Sequence, residues 1–227
     1  MIAWANLVPL PKPDARLLDL LNAALSDDDL QVKRYAGTLL LKVGSNALNV
    51  NIAGNTALYD TLVGLLDDND PALRQQVVTA LDLYVHPKSQ ALENVFLERI
   101  NLERDTTVKG RVVNSLSDFA RQGSERSRAE IAAATKDSSI QVRIGALIAL
   151  GRLRDSTLLP LVLSNLSAPE ALVRRVAIGA LAGYGIDTVR ANANLLKERL
   201  SQEQDEQVRS QLQELISQSE SPPQRQQ

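Results

Sequence analysis

The amino-acid sequence predicts an all-α superhelix, a solenoid of about six stacked helical hairpins. Three observations carry this expectation. A short phrase (polar residue, two spacers, an aliphatic, a base) recurs six times at a near-constant interval. A helical apolar pattern follows each copy, and a second amphipathic segment precedes it. The chain is also 44% hydrophobic but only 3% aromatic, so small aliphatics carry the apolar mass and suit close packing of helix on helix.

In chain order the copies read Asp29-Leu-Gln-Val32-Lys33, Asp70-Pro-Ala-Leu73-Arg74, Asp105-Thr-Thr-Val108-Lys109, Ser139-Ile-Gln-Val142-Arg143, Glu170-Ala-Leu-Val173-Arg174 and Asp205-Glu-Gln-Val208-Arg209. The aliphatic anchors lie 41, 35, 34, 31 and 35 residues apart. Each opening Asp, Ser or Glu stands where a helix starts. There a polar side chain accepts from free backbone N–H groups, and a carboxylate meets the positive end of the helix dipole. Pro71 falls at a first helical position, where its missing N–H costs nothing. The base four residues on faces its own acid across one turn. Asp29, Lys33, Asp70, Arg74, Asp105, Lys109, Arg143, Arg174, Asp205 and Arg209 therefore read as a structural ladder that also touches the adjacent hairpin.

Apolar residues continue each copy at helical spacing, as in Leu73, Val77, Ala80, Leu81 and Tyr84. Gly44, Gly123, Gly151 and Gly185 fall near the predicted ends, where a left-handed cap is wanted. First helices are expected over roughly 14–25, 56–66, 89–101, 125–135, 155–166 and 187–200. Neither helix of a pair can bury its stripe alone, so hairpins must stack. The longest interval holds an Asn- and Gly-rich insertion, 44–56, expected as a loop. The organisation is then a lead or cap over 1–13, a solenoid over 14–218, and a disordered tail over 219–227.

The Asp-x-x-Val-Arg phrase with its Ala-rich continuation, Val173-Arg-Arg-Val-Ala-Ile-Gly-Ala-Leu-Ala-Gly-Tyr-Gly185, resembles the HEAT repeat in the short bacterial form found in phycobilin lyases. The resemblance covers roughly residues 14–217 and implies an armadillo-like superhelix. That architecture serves scaffolds, adaptors, lyases and one family of DNA glycosylases, so it fixes the fold more firmly than the function.

Several chemistries are absent from the sequence. There is no cysteine, hence no thiol nucleophile or thiolate metal site. His86 is the one histidine, lies before Pro87, and has no Gly-x-Ser-x-Gly to serve. No phosphate loop or dinucleotide-binding fingerprint occurs. Asp67–Asp70 lacks the glycine of a calcium loop and runs into Pro71, so it reads as a capping turn. No metal and no cofactor are expected. A net charge of −2 argues against nucleic acid and anionic membrane as partners. Met1–Leu10 is apolar but lacks a basic flank and ends among Pro9, Pro11 and Pro13, a poor signal peptide. With no run of ~20 apolar residues, the chain is expected to be soluble and cytoplasmic.

One segment stands out. Ile140-Gln-Val-Arg-Ile-Gly-Ala-Leu-Ile-Ala-Leu150 is apolar nearly all round, and Ile144 and Ile148 replace the Arg34/Thr38 and Gln75/Thr79 of earlier copies. With Arg175 and Arg152 nearby, the pair reads either as a binding patch for another protein on the concave face or as the core of a more buried central repeat. The first reading gives a non-catalytic interaction scaffold. The resemblance implies an alternative, a bilin lyase or phycobilisome-associated protein.

Overall fold

The computed structural model describes residues 15–46 and 52–220, all helices and connecting turns with no strand among them. The predicted lead over 1–13 lies outside these residues, as do 47–51 of the insertion and 221–227 of the tail. Two compact units divide the chain, Met1–Arg111 and Val112–Gln227.

In the first unit, α1 (Ala15–Leu25) pairs with α2 (Leu30–Asn46) and α3 (Thr56–Gly64) with α4 (Pro71–Tyr84). α5 (Gln90–Leu102) precedes α6 (Thr106–Ser115), in which the boundary between units falls. The second unit continues with α7 (Ser117–Arg121), then α8 (Glu125–Ala134) against α9 (Ile140–Leu153) and α10 (Leu159–Asn165) against α11 (Ala171–Gly183). Last come α12 (Ile186–Ala191) and α13 (Ala193–Gln202), both packed on α14 (Glu206–Glu220). Second helices stack on second helices: α2 on α4 in one unit, α9 on α11 on α14 in the other. This is the all-α, hairpin-stacking fold expected of the repeat.

Every second helix starts one residue after its predicted opening residue. The cap chemistry explains the register at four of six. Asp29, Asp70, Asp105 and Asp205 each accept from backbone N–H groups two or three residues on. Ser139 and Glu170 make no such bond. Inside the helices the anchors go where the period sends them: Leu73, Val108, Val142, Val173 and Val208 are buried. Each such burial is worth roughly 1.5–3 kcal/mol. Val32, in the first copy, is only half-buried.

Three expectations need correction. Gly151 is interior to α9, which instead ends on Arg154 in the left-handed region at φ 56°. Gly151 serves packing: a Cβ there would lie 2.9 Å from Ala180 Cα, and one on Gly183 would lie 2.7 Å from the Gly151 carbonyl oxygen. Only the backbones of glycine let α9 and α11 approach so closely. Gly44 is likewise inside a helix, α2, which runs on through Asn46 into the expected loop. Gly123 and Gly185, at φ 96° and 97°, are the left-handed positions foreseen. Finally, α14 extends through Ser219 and Glu220, the first two residues of the predicted tail, because Ser219 is buried and its carbonyl accepts from Arg190.

Candidate functional site: the charge ladder and the second-helix face

Four of the six ladder bases, Lys33, Arg74, Arg143 and Arg174, reach forward to the next repeat rather than back to their own acids. Arg74 holds Glu103 in a two-pronged pair, Nε–Oε2 at 2.9 Å and NH2–Oε1 at 2.6 Å. Arg174 holds Glu203 in the same way. Lys33 reaches Asp68 at 3.0 Å, and Arg143 reaches Glu170 at 2.6 Å. The other end of each Arg74, Arg143 and Arg174 guanidinium turns back and donates to two carbonyls of the turn before its own helix. The expected pairing of Lys33 with Asp29 and Arg74 with Asp70 does not form. Those carboxylates are engaged by the backbone N–H groups they cap, and Asp70 also receives the Arg34 fork at 2.6 and 2.7 Å. Lys109 takes the equivalent place on α6, and Arg209 donates to the Glu203 carbonyl.

Three of the acids that meet these bases, Asp68, Glu103 and Glu203, stand two residues before the helix-opening residue, a position that Asp27 and Asp137 also occupy. Each of the five accepts from the backbone N–H of the opening residue. In the fifth copy that position is Ala168, and Arg143 moves to Glu170. Glu170 is thereby drawn away from capping. The signal was visible as an acid at minus two, but acid runs such as Asp27–Asp29 and Asp67–Asp70 hide it.

Electrostatics follow from this geometry. The Arg34 fork holds the Asp70 carboxyl below its ordinary range, as Arg174 does for Glu203 and Arg143 for Glu170. Burial pushes the Glu103 carboxyl up, but Arg74, the Asp105 N–H and the Arg99 charge outweigh it, and the net shift is downward. The acidic turn Asp67–Asp70 is fully committed: Asp67 to Arg99, Asp68 to Lys33, Asp70 to Arg34. It forms a capping turn. Among the described residues, no three acidic or His side chains gather as a metal site. His86 is exposed in the turn between α4 and α5, its ring nitrogen bonded to the Leu83 carbonyl at 2.7 Å.

The predicted patch residues sit on the second-helix row of the second unit. Ile148 is 41% exposed, and Ile144, one turn earlier on α9, is half-buried. Arg152 continues the same row and lies 3.6 Å from Asp118 and 3.4 Å from the Asn114 side-chain oxygen. On α11 the equivalent positions are Arg175, which donates to the Gln207 side chain at 2.6 Å, and Gly179, which is exposed with open space where a Cβ would be. Beside Gly179 a shallow trough of about 200 Å³ runs between α11 and α14, lined by Ile178, Ala182, Gln211, Glu214, Leu215 and Gln218. α9, α11 and α14 carry no aromatic residue. The periodicity of the copies places Ile148 on this row, whereas the trough is set by the missing side chain at Gly179 and carries no sequence pattern of its own.

Residues 127–217 match the family model of HEAT repeats. No curated protein matches the chain in sequence. Among solved structures, the archaeal HEAT-like repeats protein from Thermococcus onnurineus NA1 is similar at 15% identity and TM-score 0.59, covering 92% of this chain and 90% of that one. An engineered protein is similar at 17% identity and TM-score 0.51, covering 90% and 99%. At such identities the likeness speaks for the fold. It extends over nearly the whole chain, and the sequence match to HEAT repeats holds within the second unit.

Proposed function

We propose that the chain is a non-catalytic protein-interaction module, and that the α9–α11–α14 row of the second unit receives an extended or helical segment of another protein. The observation that carries this reading is Ile148. A large aliphatic stands exposed at a position where the first two copies carry Thr, beside a helix whose matching residue is a glycine. An apolar anchor next to a side-chain-free dent, with Arg152, Arg175, Glu214 and Gln218 on the same row of helices, has the make-up of a contact core with a polar rim. The partner class this favours offers one aliphatic anchor and a carboxylate for Arg175. No comparable observation supports a tetrapyrrole, whose flat rings would want aromatic walls.

A displayed random-peptide library selected on the purified chain tests this. Selected peptides should lose binding at least tenfold to Ile148→Asp and to Gly179→Leu while the melting temperature stays put. Peptides that bind both variants unchanged, or a selection that yields none, would sink the reading.

A further inference from the structure

Two places in the chain correspond residue for residue at an offset of 100. Arg174, Arg199 and Glu203 of the second unit stand where Arg74, Arg99 and Glu103 stand in the first. In both, the two-pronged Arg–Glu pair is closed, and the glutamate accepts from the backbone N–H two residues on. The other arginine differs. Arg99 donates from Nε to Glu103 Oε2 at 3.1 Å and from NH1 to Asp67 Oδ1 at 2.7 Å, so two sides of its guanidinium meet carboxylates. Arg199 keeps neither contact. Its NH1 donates to the Gln202 side chain at 3.3 Å, and its buried Nε has no partner among the described residues.

The sequence explains the difference. Asp67 and Asp68 of the first unit are replaced by Ser167 and Ala168, which bring no charge, and Leu102 by Gln202. Around Arg99, Asp67 and Glu103 balance two arginines. In the second unit Glu203 faces both Arg174 and Arg199 and is already held by Arg174, so one positive charge is left over. Glu170 is taken by Arg143. Glu198 has its counterpart in Glu98 and does not alter the comparison. A pocket of about 270 Å³ lies against the arginine, between the α10–α11 turn and the end of α13, with Ser167, Ala168, Arg199, Gln202 and Gln204 among its walls. A buried charged donor is costly to leave unpaired, and a carboxylate is the group a guanidinium fork fits.

We propose that the Arg199 pocket binds a carboxylate, that of an aspartate or glutamate on a segment of another protein, in the place Asp67 takes beside Arg99. Ser167, Gln202 and Gln204 are exposed at its rim and offer donors to the carbonyls of that segment. The site belongs to a first helix and its neighbouring turn, and it does not rest on the partner proposed for the α9–α11–α14 row.

The Nε–H resonance of Arg199, assigned by its loss in Arg199→Lys, reads the contact in an NMR titration at constant ionic strength. N-acetyl-aspartate amide should shift it saturably at millimolar concentration and leave the Arg99 resonance, which already has Asp67 nearby, unmoved. Ser167→Asp supplies the missing acid from the chain itself. It should move the Arg199 resonance without ligand, weaken binding of the blocked aspartate at least tenfold and raise the melting temperature. The proposal is overturned if the Arg199 resonance is indifferent to the blocked aspartate, or if wild type and Ser167→Asp respond to it equally. It is equally overturned if inorganic phosphate saturates the pocket more tightly than the blocked aspartate, which would give the site to phosphate groups.

Discussion

Arg174 and Glu203 are 29 residues apart and meet through two parallel hydrogen bonds of 2.7 and 2.6 Å. Arg74 and Glu103 repeat the arrangement at the same separation in the first unit. In both, the carboxylate also accepts from the backbone N–H two residues on, which fixes the turn that opens the next helix.

The Arg74–Glu103 pair is the more enclosed, with the Glu103 side chain at 0% and Arg74 at 10% exposure. Glu103→Ala strands a buried guanidinium and should cost about 3 kcal/mol in a denaturant titration. Arg74→Lys keeps the charge but loses the fork, and should fall between wild type and Glu103→Ala.

The depressed carboxyls set the acid limit. Asp70, Glu103, Asp155, Glu170 and Glu203 all titrate lower in the folded chain than their ordinary values. Their contribution is complete above the unfolded range of about 4 and is lost as pH falls through that range and below it. Stability measured by urea midpoint should be flat from neutral to about pH 5 and drop steeply beneath pH 4. At the other extreme, burial pushes the Tyr184 hydroxyl up to about 12. Stability should decline once pH exceeds the free tyrosine value of about 10, and Tyr184→Phe should remove that part of the decline.

Gly151 and Gly183 bring two backbones together, so any side chain there must push α9 and α11 apart. Gly183→Ala should cost about 2 kcal/mol, seen as a lower melting temperature. Gly179→Ala, with open space around it, should cost far less.

Arg154 sits at φ 56°, a conformation that L-residues adopt at a cost of about 1 kcal/mol. Its amide still donates to the Leu150 carbonyl, so the helix end does not depend on its side chain. Arg154→Gly should therefore raise the melting temperature slightly. A fall would mean that the arginine side chain contributes more than its backbone costs.

The repeat was legible because its signals are local. An opening Asp at residue 70, a proline at 71 and an aliphatic at 73 specify helix start and buried face within four positions, and the structure places α4 accordingly. The partners of the bases were not legible, since Arg74 and Arg174 choose between an acid four residues back and one 29 residues ahead. What decides is that the nearer carboxylate, as at Asp70, already serves backbone N–H groups, or that the residue is drawn elsewhere, as Glu170 is by Arg143. The same holds for glycine. At 123 and 185 its backbone freedom is used, whereas at 151 and 183 its small size is, and only the neighbouring helix tells these apart. The exposure of Ile148 could be guessed by comparing copies, but the trough beside it depends on α14, distant in sequence.

The joint between Arg174 and Glu203 has a bearing on how such a chain can grow. The α3–α4 and α10–α11 hairpins each carry an acceptor in the turn before the second helix, Asp68 or Glu170, and a donor on that helix, Arg74 or Arg174, facing opposite neighbours. A tandem copy of the gene segment would thus arrive with both halves of its own coupling. It could slot between existing hairpins without a single compensating substitution, and lengthening would be easier than altering any one link.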